Sequence, residues 1–160
     1  MKERLYVVLH NVYSVYKVVE AARVVYGLGF PNFIVTKAMG AAAQEGVPEA
    51  HKMAIKKGKR IFYLAELNDV METIAPDEVL LIVPARFSKD VFDPQYVRDL
   101  LKSGKKVLLI FGGSEPGLTK RELELGKPVH IPRIDDDLGS TALISITLYS
   151  LLLESDKKGE

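Results

Sequence analysis

Glu115 stands in a glycine-rich run, Gly112-Gly113-Ser114-Glu115-Pro116-Gly117-Leu118, directly after an apolar stretch over residues 107–111. Further on, a second apolar stretch over 129–131 ends in Ile131-Pro132 and opens into Asp135-Asp136-Asp137-Leu138-Gly139-Ser140-Thr141-Ala142. Two loops at the carboxyl ends of parallel strands form a ligand crevice. Glycine lets the backbone approach a ligand closely, and a carboxylate orders the loop or favours a cationic ligand. The run nearly fits a phosphate-binding loop, but Leu118 stands where that loop needs lysine. Without the cation, and with Glu115 in the same loop, a triphosphate is repelled. A dinucleotide fingerprint fails too, because the segment after the first apolar stretch, His10-Asn11-Val12-Tyr13-Ser14, has no glycine. The expected ligand lacks phosphates, and the sulfonium compound S-adenosylmethionine meets that description.

Other polar residues have two readings each. Asn11 suits a substrate contact or a helix cap. Lys17 and Arg23 suit phosphate binding or polarisation of an acceptor, or else the solvated face of an amphipathic helix. Glu115 suits contact with the cofactor or with a substrate proton, or else an exposed turn. Asp135, Asp136 and Asp137 precede a helix, where carboxylates cap and complement the dipole, so no metal site is expected. His10, His51 and His130 are scattered and form no metal or triad spacing. Arg86 and Lys89 read as a surface loop or a basic rim near the crevice.

These residues need a scaffold, and the apolar pattern supplies one. Strand-like runs at 5–9, 33–35, 61–64, 79–83, 107–111 and 129–131 alternate with helical patterns at 13–26, 67–74, 94–103 and 138–153. Residues 37–46 have fair helix propensity weakened by glycine, and 48–57 read as a further turn or two. The pattern predicts an α/β fold in one domain over residues 1–155, a largely parallel sheet of about six strands with flanking helices, and a disordered tail at 156–160. The last helix is apolar around nearly its whole circumference, which predicts burial on both sides and a homodimer formed through it.

Composition narrows the classes. The chain has 160 residues, no cysteine and a net charge of +1, so disulfides, thiolate metal sites and a general field for polyanions are excluded. Lys56-Lys57-Gly58-Lys59-Arg60 forms one local basic patch, read as a solvated loop or a nucleic-acid contact. No apolar run approaches the roughly twenty residues that span a bilayer, and the amino terminus does not read as a signal peptide, so a cytoplasmic protein is expected.

The chain resembles a divergent, archaeal-type member of the SPOUT class of RNA methyltransferases. The resemblance rests on Gly113-Ser114-Glu115-Pro116-Gly117-Leu118, similar to the class's second motif, and on Ile131-Pro132 followed by Leu138-Gly139-Ser140-Thr141-Ala142, similar to its third. The first motif is partly met by Asn11 and Gly27. Glu20 occupies the register of the class's helix arginine, and Ser140-Thr141-Ala142 lacks the asparagine of the 2′-O-ribose branch, which leaves base methylation or loss of activity open. The resemblance implies a carboxyl-terminal trefoil knot. It also implies an S-adenosylmethionine pocket lined by Phe111, Gly112, Gly113, Gly117, Ile131, Pro132, Leu138, Gly139, Ser140 and Ala142, with Asn11, Lys17, Arg23 and Glu115 as catalytic candidates. Its implied activity is methylation of tRNA or rRNA. The alternative is a non-catalytic knotted dimer that serves as an RNA-binding or assembly module; a flavodoxin-like receiver or nucleotide domain is the third reading.

Overall fold

The computed structural model describes residues 1–153; the tail expected at 156–160 lies outside them. Six parallel strands form one sheet in the order β3-β2-β1-β5-β4-β6: β1 Leu5–Val12, β2 Asn32–Ala38, β3 Arg60–Leu64, β4 Glu78–Ile82, β5 Val107–Gly112 and β6 Lys127–Val129. The central pair is apolar on both faces, because helices cover both. Leu9, Leu109 and Phe111 point into a core shared with the helices α1 Val15–Gly27, α2 Val47–Lys57, α4 Pro94–Lys102 and α6 Ser140–Leu152. Val8, Leu108 and Ile110 point the other way, toward α3 Leu67–Ile74 and the short α5 Lys120–Leu123.

Local chemistry sets the element ends. Ser14 caps α1 by accepting from the amide of Lys17, so the helix begins at Val15 and Tyr13 stays outside it. Asp93 accepts from the amides of Gln95 and Tyr96, and Pro94 opens α4. Gly40, at φ +55°, turns the chain before the helical stretch at 42–57, which therefore runs unbroken from a π-wound turn at Ala42–Gly46 into α2. The α5 helix, unmarked by any apolar period, starts with a capping box in which Thr119 and Glu122 satisfy each other's amides.

The last strand differs from the expected 129–131. It is Lys127–Val129, because the carbonyl of Val129 and the two residues before it complete the ladder with β4 while the chain turns away at Ile131. This segment is held from two sides. The Val83 amide donates to the Val129 carbonyl at 2.9 Å, the His130 amide donates to Asp90 at 3.0 Å, and the Phe92 amide donates to His130 at 2.8 Å. Residues 129–130 thus run between the end of β4 and the loop at 90–92. From there the chain returns across the sheet to place α6 against α1, α4 and β5. Buried Arg98 of α4 completes the far end of α6 by donating to the Ser150 carbonyl at 3.0 Å. Among the described residues no helix is long and apolar enough to cross a membrane.

Candidate functional site

Where β4 and β5 end, a crevice opens between the loop at 113–118 and the residues that lead into α6. Its walls are Ile82, Val83 and Pro84 after β4; Phe111, Gly112, Ser114, Glu115, Gly117 and Leu118 after β5; Asp137, Gly139, Ser140 and Leu143 at the head of α6; and Lys17 from α1.

The glycines of the loop are fixed by packing. A Cβ at Gly112 would lie 3.2 Å from the Cα of Gly117, because the loop folds back on its own start. One at Gly113 would lie 2.8 Å from the Cβ of Val12, because the Gly113 amide is drawn in to donate to His10 at 2.8 Å. Two side chains then hold the loop to the first strand and helix: Lys17 Nζ donates to the Gly113 carbonyl at 3.0 Å, and Asn11 Nδ2 to Ser114 Oγ at 3.1 Å. Asn11 reaches Ser114 from a left-handed backbone at φ +65°.

Two carboxyl groups face each other across the crevice. A hydrogen bond to Asp137, and then the charge of Asp137, hold the Glu115 carboxyl above the ordinary carboxylate value. The backbone amide of Gly139, and then the hydrogen bond from Glu115, hold Asp137 below it. The two acids therefore titrate as a pair, with Glu115 taking a proton more readily than Asp137. Arg86 and Lys17 favour the ionised form of both. Asp137 is thus a crevice residue; its carboxylate accepts from the Gly139 amide at 3.0 Å, while α6 itself begins at Ser140, after Gly139, without a side-chain cap. Next to it, Ser140 Oγ is buried with no hydrogen-bond partner. A buried hydroxyl left unpaired costs about 1–3 kcal/mol, so a polar ligand group is its natural complement.

Behind the loop, His10 is only 1% exposed and sits between Thr36 Oγ1 at 2.7 Å and Glu122 Oε2 at 2.6 Å. Burial alone would raise the Glu122 pKa; the Thr119 amide and His10 outweigh it and lower the group overall. The order hydroxyl, imidazole, carboxylate imitates a nucleophilic triad, yet Thr36 is completely buried, so no substrate reaches its hydroxyl. This chain of bonds anchors α5 to the sheet. Spacing could not reveal it, since its members lie on β1, β2 and α5.

Of the residues singled out in the sequence, Lys17, Phe111, Gly112, Glu115, Gly117, Gly139 and Ser140 line the crevice. Gly113 and Asn11 support it from behind. Ile131, Pro132, Leu138 and Ala142 are not among its lining residues. Arg23 pairs with Glu20 on the exposed side of α1 and borders a separate apolar groove with Val24, Leu28 and Tyr149. Asp137, Ser114 and the β4 end, Ile82 to Pro84, complete the site without having been singled out for it. Among the described residues there is no group of three or more His, Cys, Asp or Glu that could hold a metal ion.

The family model described as RecB-family nuclease (DUF2122) matches residues 40–150. The chain belongs to this family. Two relatives agree over nearly its whole length. "Putative type II restriction enzyme MjaORF1200P" of Methanocaldococcus jannaschii is 36% identical over 148 residues, which is 92% of this chain and 96% of the relative. "Putative type II restriction enzyme ApeKORF2002P" of Aeropyrum pernix is 41% identical over 145 residues, 91% of this chain and 90% of the relative. The solved structures that it resembles include methyltransferases. An AdoMet-bound rRNA methyltransferase from Sinorhizobium meliloti superposes with a TM-score of 0.67 at 18% identity, covering 94% of this chain and 57% of that one. The SpoU methyltransferase AviRb from Streptomyces viridochromogenes does so with a TM-score of 0.67 at 18% identity, covering 92% and 58%. The chain spans less than two thirds of these two structures.

These findings correct the expected activity. The fold is that of the SpoU-like methyltransferases, as the resemblance implied, but identity this low shows fold alone, and one fold hosts many functions. The relatives close enough in sequence to define a family bear the names of nucleases, which overturns both the RNA methyltransferase reading and its non-catalytic RNA-binding alternative.

Proposed function

We propose that the crevice beside β5 is a binding site for S-adenosylmethionine. The observation that carries this reading is the unpaired, buried Ser140 hydroxyl set beside Asp137, whose carboxyl is held below the ordinary carboxylate value by the Gly139 amide. The apolar floor of Ile82, Phe111 and Leu143 suits an adenine ring, Asp137 suits the sulfonium cation, and Lys17 suits the ligand's carboxylate. In this reading the segment at 129–131 is threaded through the loop that follows β4, forming a knot that locks the head of α6 against the β5 loop. The same reading has the chain working as a homodimer through α6, with Tyr149 and Leu152, both exposed in the single chain, covered by the partner. Calorimetry with S-adenosylmethionine tests the pocket. Binding by the unaltered chain, weakened by Ser140→Ala and Asp137→Asn, is expected; no heat at millimolar ligand would sink the idea.

A second reading follows the family description and is favoured by a different observation. Glu115 and Asp137, with Lys17 close enough to act on both, place two carboxylates and a lysine in one crevice. Mg²⁺ commonly takes one or two carboxylates and completes its shell with substrate phosphates and water. The pair fits that minimal donor set, although no third acidic or histidine ligand stands with it among the described residues. Mg²⁺-dependent nicking of a plasmid that disappears in Asp137→Asn but survives Ser140→Ala would select this reading over the first.

A further inference from the structure

The amino-terminal ends of the strands form the rim opposite the crevice. Near the start of three strands the chain places Arg4 ahead of β1, Lys57 at the end of α2 with Lys59 and Arg60 at β3, and Lys105 and Lys106 ahead of β5, while β2 opens on uncharged Asn32. These positions are far apart in sequence, but the order β3-β2-β1-β5 makes their strands contiguous. Neighbouring strands lie about 4.8 Å apart, so the three steps from β3 to β5 span about 14 Å.

Glu3, Asp77 and Glu78 are the acids that flank this strip. Glu3, the acid nearest its centre, is held by the amino terminus at 2.7 Å. Asp77 precedes β4 and Glu78 opens it, where the strip ends, and Asp77 accepts from the Lys106 amide. No ion pair is formed by Arg4, Lys57, Lys59 or Lys105 among the described residues, and Arg4, Lys57 and Lys105 are exposed. With a net charge of only +1 over the whole chain, so many unpaired cations on one rim make the molecule strongly polar.

We propose that this amino-end rim is a docking surface for the phosphate backbone of double-stranded nucleic acid, separate from the crevice and independent of what the crevice holds. Phosphates along one strand of a duplex advance about 3.4 Å each, so a strip of about 14 Å meets roughly four of them. Flexible lysines suit phosphates as point charges, without base-specific geometry. An anionic membrane is the poorer fit: of the exposed large apolar residues, only Met1 and Ile55 belong to the segments that lead into these four strands, leaving the rim little to insert between lipids.

Fluorescence anisotropy with a labelled DNA duplex of about 20 base pairs, across a salt series, tests this. Four contacts predict a slope of log affinity against log salt of about −3 to −4 for the full chain. Replacing Arg4, Lys57, Lys59 and Lys105 together by Gln should cost at least about tenfold in affinity and bring the slope near zero. The double variant Lys89→Glu/Lys120→Glu removes the same net charge, four units in each case, away from this rim, and should bind like the unaltered chain. The pair Lys57→Gln/Lys59→Gln alone should roughly halve the slope, and all four sites are surface positions whose variants are checked for unchanged melting. Absence of duplex binding at low salt, or equal losses in the rim variant and the charge-matched control, overturns the proposal. So does equal affinity for vesicles containing one third phosphatidylserine.

Discussion

At the carboxyl ends of the strands the loops lean on one another: Gly113 is pressed onto Val12, Lys17 grips the Gly113 carbonyl, and Glu115 faces Asp137. At the amino ends Arg60 is tied to Asn32 and Lys106 to the Ile74 carbonyl, but Arg4, Lys57 and Lys105 stand exposed and form no ion pair among the described residues. The first rim is a constructed interior whose residues are constrained by contact, whereas at those three positions the second is constrained mainly by sign. A whole-chain charge of +1 averages over the two and conceals both.

The contrast breaks first at glycine. Gly113→Val places a branched side chain where even a Cβ meets Val12 at 2.8 Å, and should cost about 3 kcal/mol in urea unfolding. On the opposite rim Gly58 has open space around it and only its φ of +67° to protect, so Gly58→Ala should cost about 1 kcal/mol. A loss at Gly58 equal to that at Gly113 would show that backbone conformation, and not contact, governs both rims. Next in size is the anchor behind the loop: Thr36→Val leaves the buried His10 Nδ1 without its partner and should cost about 1–3 kcal/mol. The matching change on the basic rim, Lys57→Gln, should stay within about 0.5 kcal/mol in the same assay.

The smallest effect is a titration. Glu115 is raised above 4.5 and Asp137 lowered below 3.8, so on acidification Glu115 takes its proton first and Asp137 keeps its charge to lower pH. Carboxyl-carbon NMR should show these midpoints on opposite sides of the ordinary values. In Asp137→Asn the Glu115 midpoint should fall back toward 4.5, since the neighbouring charge and the hydrogen bond of the carboxylate are gone. A Glu115 midpoint indifferent to that substitution would separate the two acids.

The sheet was legible because its signal is local. The runs at 79–83 and 107–111 are apolar at consecutive positions, which suits strands buried on both faces, and they lie where β4 and β5 are found. β6 was misplaced because Lys127 and Pro128 do not read as strand, and only pairing with β4 makes them one. The crevice was half legible. Gly112, Glu115, Gly117, Gly139 and Ser140 were marked by loop chemistry, but Asp137 reads in sequence as one of three capping acids, and its role depends on Glu115 folding toward it. The unpaired state of Ser140 is a matter of burial, and the basic rim a matter of strand order, neither of which any window of sequence contains.

The segment gripped between Val83 on one side and Asp90 and Phe92 on the other also stands between the two walls of the crevice in the chain. The β5 loop precedes it and the head of α6 follows it, so the second wall is built wholly from residues downstream of that segment. A chain truncated before residue 127 would lack β6 and α6 and hold half a crevice with no opposing wall. The site therefore depends on both halves of the sequence at once, and loss of the chain beyond β6 removes Asp137, Gly139, Ser140 and Leu143 together.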